Sequence, residues 1–298
     1  MAGPPRAPGG AAAQVGAPVA FVLIWSSGFL VGRDVSHHAD PFYFLALRLL
    51  CVAALFAAAA WAARVPWPRG ARRIGLHLLA GALMSGLYLG AGWWAMGHGL
   101  GAGVTALIGA LQPLFTALIA VLVLRQRLPL RTWTGLVLGF GGVALVLWPR
   151  LQAGAQQALA LPVVLVAVGS VLSLTVGSMV QKLPLAAGDL RGASCVQNLG
   201  AVAVLIVLAW AVGTPRWDGS ALLWGYFAYA VLVLSVGGAT LLIWQMRHGD
   251  ATRTAALLLI VPPLSALQAW ALLGETLTPV QVAGFVVATA GVALARSR

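Results

Sequence analysis

Polar side chains set into apolar sequence are the residues of this chain whose types and spacing could do chemistry. Thr105, Gly109, Gln112 and Thr116 fall four, three and four residues apart, the spacing of one helix face, in a run that is otherwise apolar. Thr254, Ser265 and Gln268 repeat that face later in the chain, and Ser170, Ser173, Gly177 and Gln181 form another. Gly81, Ser85, Tyr88 and Gly92 share a face with Trp93 and Trp94 beside it, while Trp25, Ser26 and Ser27 lie together in the first apolar run. Hydroxyls, amides and aromatic faces so arranged can bind a small polar or amphipathic molecule by hydrogen bonding and stacking. The candidate substrate-binding residues are Trp25, Ser26, Ser85, Tyr88 and Trp93 in the early runs, then Thr105 and Gln112, then Ser173 and Gln268. The competing use of any single Ser, Thr or Gly is structural, because hydroxyls bond back to their own helix and glycine permits close helix contact. For Gln112, Gln268 and Tyr88 cavity lining leads, since an amide or phenol in mid-membrane needs a partner or water.

Other chemistries lack their residues. An intramembrane serine protease needs a Gly-x-Ser-Gly nucleophile, and neither Ser27-Gly28 nor Ser85-Gly86 has the leading glycine. His37-His38 has no third metal ligand, so no catalytic residue, metal or cofactor is expected. Asp34, Asp40, Asp189, Asp218, Asp250 and Glu275 all fall at expected loops or helix ends, which gives no support to proton coupling through a buried carboxylate and favours facilitated or gradient-driven export. His98, between Gly97 and Gly99, reads as a solvated loop residue. Arg48 is the only charge deep inside a predicted span rather than near its end, about 10 Å along the helix from Pro41 at about 1.5 Å per residue. It either snorkels or pairs with a carbonyl, Asp34 or Asp40, or it attracts a substrate carboxylate.

The elements that must position these residues are membrane helices. Of 298 residues 61% are hydrophobic and 8% charged, and the mean hydropathy of +0.94 excludes a soluble domain. Apolar runs of spanning length are predicted near 17–33, 41–63, 74–97, 101–124, 132–149, 160–181, 190–213, 221–246, 251–273 and 278–295. The net charge of +12 does not indicate a nucleic-acid partner, because the arginines sit in the short gaps between runs. With the N-terminus inside, the cytoplasmic segments carry Arg6, Arg64, Arg69, Arg72, Arg73, Arg125, Arg127, Arg131, Lys182, Arg191, Arg247, Arg253, Arg296 and Arg298. Only Arg33, Arg150 and Arg216 fall on the other side, so ten helices with both termini cytoplasmic are expected. Residues 1–16 read as a disordered tail, and Cys51 and Cys195, both in apolar runs, read as small hydrophobes.

Residues 105–145 recur as 254–294 at a constant offset of 149, sharing Thr105/Thr254, Pro113/Pro262, Gly135/Gly284 and Gly142-Val-Ala-Leu145/Gly291-Val-Ala-Leu294. The chain therefore divides into a five-helix repeat over 17–150 and a second over 151–298. The loop after the fourth run carries three arginines and its counterpart carries Glu275, so the second repeat is expected to be inverted. The fold class is an all-α membrane protein of ten transmembrane helices in two inverted repeats. Pro113, Pro262 and Pro263 are candidate hinges, because each removes a backbone donor at equivalent depth. Gly135-x3-Gly139 and Gly284-x3-Ala288 suit tight contact within one protomer, with homodimerisation as the alternative.

Trp25-Ser-Ser-Gly28, Leu47-Arg48, Pro113 and Pro262, Leu273-Gly-Glu-Thr-Leu277 and the glycines of the fifth and tenth runs resemble the EamA family of the drug/metabolite transporter superfamily, over essentially the whole chain after the tail. The resemblance implies a ten-helix inverted repeat around a central substrate cavity. Within that family the chain is similar to the YddG-type exporters of aromatic and other neutral amino acids. Arg125-Gln126-Arg127 departs from Gly274-Glu275-Thr276 of the other copy, so a glutamate role is not expected at both ends. The expected function is export of small metabolites across a bacterial inner membrane by alternating access, amino acids first, with drugs or nucleotide-sugars as alternative cargo. The expected partners are a small-molecule substrate and the lipid bilayer, with the protein as a monomer.

Overall fold

The computed structural model describes residues 11–123, 125–152, 160–183, 189–238, 240–241 and 258–296. These form ten helices: α1 (Ala11–His38), α2 (Pro41–Ala62), α3 (Ala71–Gly97), α4 (Ala102–Leu122), α5 (Leu130–Gln152), α6 (Leu161–Gln181), α7 (Leu190–Val212), α8 (Ala221–Gly237), α9 (Val261–Leu273) and α10 (Pro279–Arg296). Seven, α1 to α7, are long and apolar enough to cross a bilayer; α8, α9 and α10 are apolar but shorter over the described residues. Thr254, Arg247, Arg253 and Asp250 lie outside the described residues.

Local chemistry sets the helix ends, and it does so twice. Asp40 caps α2 by accepting from the amides of Phe42 and Tyr43, and Asp189, 149 residues on, caps α7 through the amide of Arg191. α4 and α9 finish in the same way: the Gln126 amide reaches the Ala120 carbonyl, and the Glu275 amide reaches the equivalent Ala269 carbonyl. Gly274 takes the left-handed conformation this ending requires, at φ 68°, and its counterpart Arg125 takes it too, at φ 52°. α10 opens on a reciprocal box in which the Gln281 side chain accepts from the Thr278 amide and the Thr278 hydroxyl accepts from the Gln281 amide.

Interruptions also recur at the offset. α4 breaks at Leu111, two residues before Pro113, and a turn at residues 259–260 precedes Pro262 at the start of α9. The flanking bonds match, Phe115 amide to Leu111 carbonyl in one copy and Leu264 amide to Ile260 carbonyl in the other. α3 and α8 each widen into a π-helical segment, Ala82–Leu87 and Ala230–Gly237.

Equivalent helices of the two copies pack on each other, α2 on α7, α4 on α9 and α5 on α10. In the last pair Gly135 meets Gly291 and Ala295, Gly142 meets Ala288, and Gly284 meets Val146, so the numbering rises on one helix as it falls on the other. The two run antiparallel, with backbones so close that a β-carbon at Gly142 would stand 2.3 Å from the Ala288 nitrogen. The small-residue spacings thus serve a contact inside the protomer.

Two sequence expectations need correction. The stretch read as a tail to residue 16 is helical from Ala11, where Ala11-Ala-Ala-Gln14 are good helix formers. The first helix also passes the expected end at residue 33 and continues to His38, because Arg33 and Asp34 find partners on other helices and need no loop to reach water.

Candidate substrate-binding and closure residues

The two polar faces predicted on α3 and α4 meet. The Tyr88 hydroxyl lies over Gly109, 3.4 Å from where a β-carbon there would stand, and Gly92 faces the Ser170 hydroxyl of α6. Gln112 sits half-buried at the α4 break, and its carbonyl accepts from the Thr116 hydroxyl at 3.0 Å. Gln268 on α9 has a buried Oε1 with no donor among the described residues, and a desolvated amide oxygen of this kind needs one.

Other predicted residues are placed in packing roles. Ser26 is fully buried; its hydroxyl bonds the Leu23 carbonyl, and its own carbonyl accepts from Ser265 of α9 at 3.2 Å. Thr105 bonds back to the Gly101 carbonyl. Ser173 donates to the Leu83 carbonyl at 2.9 Å, tying α6 to the π-segment of α3. Ser85 lies half-buried in that segment. Trp25 is exposed, with its ring against Phe21. Trp93 is buried against Phe44, and a β-carbon at Gly32 would stand 2.7 Å from its ring. Pro262 is buried and Pro263 exposed, both in the first turn of α9, where the missing amides cost no helical bond.

Arg48 is 7% exposed. It does not pair with Asp34, which accepts from the Tyr226 hydroxyl, nor with Asp40, which is occupied by its α2 cap and by Thr214. Its one hydrogen bond among the described residues runs from Nε to the Ser235 hydroxyl of α8 at 3.1 Å, and its guanidinium carbon lies 5.9 Å from the centre of the Trp93 ring. A cation at this depth costs about 2.5–3.5 kcal/mol, and the serine and the ring offset only part of that.

Sequence reasoning missed a polar layer at one end of the bundle. Arg33 donates to the Met96 carbonyl at 2.9 Å and stands 3.4 Å from Glu275, which also accepts from the Ala102 amide at the start of α4. A cavity of about 20 Å³, large enough for one water, lies beside Glu275, Gly101 and Gln281. The α1–α2 joint is clasped to the α7–α8 loop: Arg216 donates to the Ser36 carbonyl, Asp40 accepts from the Thr214 amide at 2.7 Å, and His38 meets Asp218 at 2.6 Å. The Ser220 amide and then His38 hold the Asp218 carboxyl below its ordinary value of 3.8. Nothing in the sequence around His37-His38 signals this role for His38, which only its distant partner Asp218 reveals. Tyr226 and Tyr229 were also missed; the Tyr229 hydroxyl lies 2.8 Å from Ser27. Tyr226, Tyr229 and Ser235, three and then six residues apart on α8, were the available signal.

The sequence profile of the EamA-like transporter family matches residues 15–148 and again 161–297. A solved crystal structure with 19% identity, covering 96% of each chain, superposes at a TM-score of 0.63, a likeness of fold. No curated protein matches. The chain belongs to the EamA-like transporter family and carries two copies of its domain, which makes it a multi-pass membrane transporter.

Proposed function

We propose that this EamA-like transporter exports small metabolites, neutral and aromatic amino acids foremost, across a bacterial inner membrane by alternating access through a central cavity. The observation that carries the reading is the antiparallel packing of α5 on α10, since equivalent helices of two copies that run in opposite directions are what an inverted repeat requires. Ten membrane crossings with both termini cytoplasmic agree with the distribution of arginines between the two sides. Breaks at Leu111 and at residues 259–260 supply flexible points at equivalent depth in α4 and α9, where Pro113, Pro262 and Pro263 would act as hinges. On this topology the Arg33–Glu275 pair and the Asp40–Thr214 and His38–Asp218 clasps close the outer face.

The amino-acid reading rests on the Tyr88 hydroxyl over Gly109, on Gln112 at the α4 break and on the undonated Gln268 oxygen, which could accept from a substrate ammonium. Saturable uptake of labelled phenylalanine into liposomes holding the folded protein, blocked by other aromatic amino acids, is the expected result. Inhibition by cationic drugs or nucleotide-sugars and not by amino acids would move the assignment to those cargoes. No uptake beyond empty liposomes would remove the amino-acid reading altogether.

A further inference from the structure

We propose that Arg48 is the docking group for a single carboxylate on the substrate, so that the cargo is restricted to monocarboxylates, zwitterionic amino acids among them. The inference rests on the transporter reading above and specifies the anion side of its cargo.

The comparison between the two copies carries the argument. At the offset of 149, Arg48 on α2 corresponds to Gln197 on α7, Ser235 on α8 to Gly86 on α3, and Tyr226 to His77. In the α3–α7 half the place is filled by a glutamine and a histidine, with the Gln197 amide 3.4 Å from His77 Nδ1 and the backbones in close contact at Gly81. The fold therefore builds this joint without an arginine, since the residue at the Arg48 position of this half is an uncharged amide. In the α2–α8 half the residue is a cation, and the side chain equivalent to His77, Tyr226, turns away to Asp34. Arg48 is left 93% buried, bonded only through Nε to Ser235, with the two terminal amino groups of its guanidinium free of protein partners among the described residues. Those groups are the paired donors that grip a carboxylate side by side.

The charge count limits the ligand. Arg48 and Asp40 are the only buried Asp, Glu, Lys or Arg among the described residues, and the Asp40 carboxylate is held by four N–H and O–H donors. One unpaired guanidinium neutralises one negative charge. A phosphate dianion carries one charge more than the guanidinium can match, whereas the single carboxylate of a monocarboxylate or an amino acid is matched one for one. The Trp93 ring lies to one side of the guanidinium, whose central carbon is 5.9 Å from the ring centre.

The test is thermal unfolding of the full chain in detergent with four probes: phenylalanine, phenylacetate, which lacks the amine, phenethylamine, which lacks the carboxylate, and inorganic phosphate. Ligands that bind only the folded state raise the midpoint. Phenylacetate and phenylalanine should raise it in the native protein, and phenethylamine and phosphate should not. Arg48→Gln should weaken carboxylate binding at least tenfold. Arg48→Met, which removes the charge but keeps an apolar chain, serves if the glutamine variant does not fold. An equal carboxylate effect in native and charge-removed protein overturns the proposal. So does stabilisation by phenethylamine or phosphate matching that of phenylacetate, or no carboxylate effect in the native protein. Arg48-dependent stabilisation without phenylalanine transport in liposomes would retain the carboxylate site and remove the amino-acid cargo, so the two failures are distinguishable.

Discussion

Replacing Arg125 with glycine should stabilise this protein although it deletes a charge and makes no new contact. Arg125 holds φ at 52° at the end of α4, in the place where Gly274, at φ 68°, ends α9. An L-residue in the left-handed region costs about 1–2 kcal/mol. Glycine escapes that strain but loses about 0.5–1 kcal/mol through the greater freedom of its unfolded chain. The net expectation is a gain of about 0.5–1 kcal/mol, or about 1–3 °C in the unfolding midpoint. A series separates strain from charge: Arg125→Ala removes the charge and keeps the strain, and Arg125→Asn relieves part of it, so stability should rank Gly above Asn above Ala and Arg. Gly274→Ala is the reciprocal experiment. A β-carbon there meets nothing within 4 Å, so any loss is conformational and should be about 1 kcal/mol. Thermal and denaturant unfolding of the purified variants in one detergent measures both. Arg125→Gly no more stable than Arg125→Ala, or a neutral Gly274→Ala, would refute the reasoning.

Three further outcomes are expected. Gly142→Ala should destabilise by about 1–3 kcal/mol because its β-carbon strikes the backbone of α10, whereas Gly141→Ala, facing open space, should be neutral or gain up to about 1 kcal/mol; parallel melting curves decide. Asp40→Ala should cost more than Asp189→Ala, about 2–4 kcal/mol against about 1, since Asp40 both caps α2 and holds the buried-side Thr214 amide; denaturant titrations compare them. The Asp218 carboxyl is depressed from 3.8, so its contribution is complete above that pH and lost as pH falls through the lower folded value. Unfolding midpoints of native protein and Asp218→Asn should therefore differ at neutral pH and converge in strong acid.

Much of the architecture could be read from the sequence because membrane helices and duplications write themselves in composition and period. The offset found from Pro113/Pro262 and Gly142/Gly291 also relates the caps at Asp40 and Asp189 and the breaks at Leu111 and residues 259–260. The extension of α1 through Arg33 and Asp34 was not legible, since charges read as a helix end unless Glu275 and Tyr226, far along the chain, are known to meet them. The π-segments were hidden because a few residues of altered period do not disturb an apolar run. Among the candidate residues, sequence spacing identified the faces on which Tyr88 and Gly109 meet, but it could not separate hydroxyls such as Ser26 and Thr105, which satisfy their own helix, from groups left open. Arg48 was recognised as exceptional, while the two carboxylates offered as partners proved to be engaged elsewhere.

Counterflow tests the carrier account most directly. Liposomes holding the protein and preloaded with unlabelled phenylalanine are diluted into a trace of labelled phenylalanine with no ion gradient. An alternating-access carrier with this cargo should drive transient accumulation of label above its external concentration, absent from empty liposomes. Simple equilibration of the label, without overshoot and without saturation, would contradict the account and point to a passive pore.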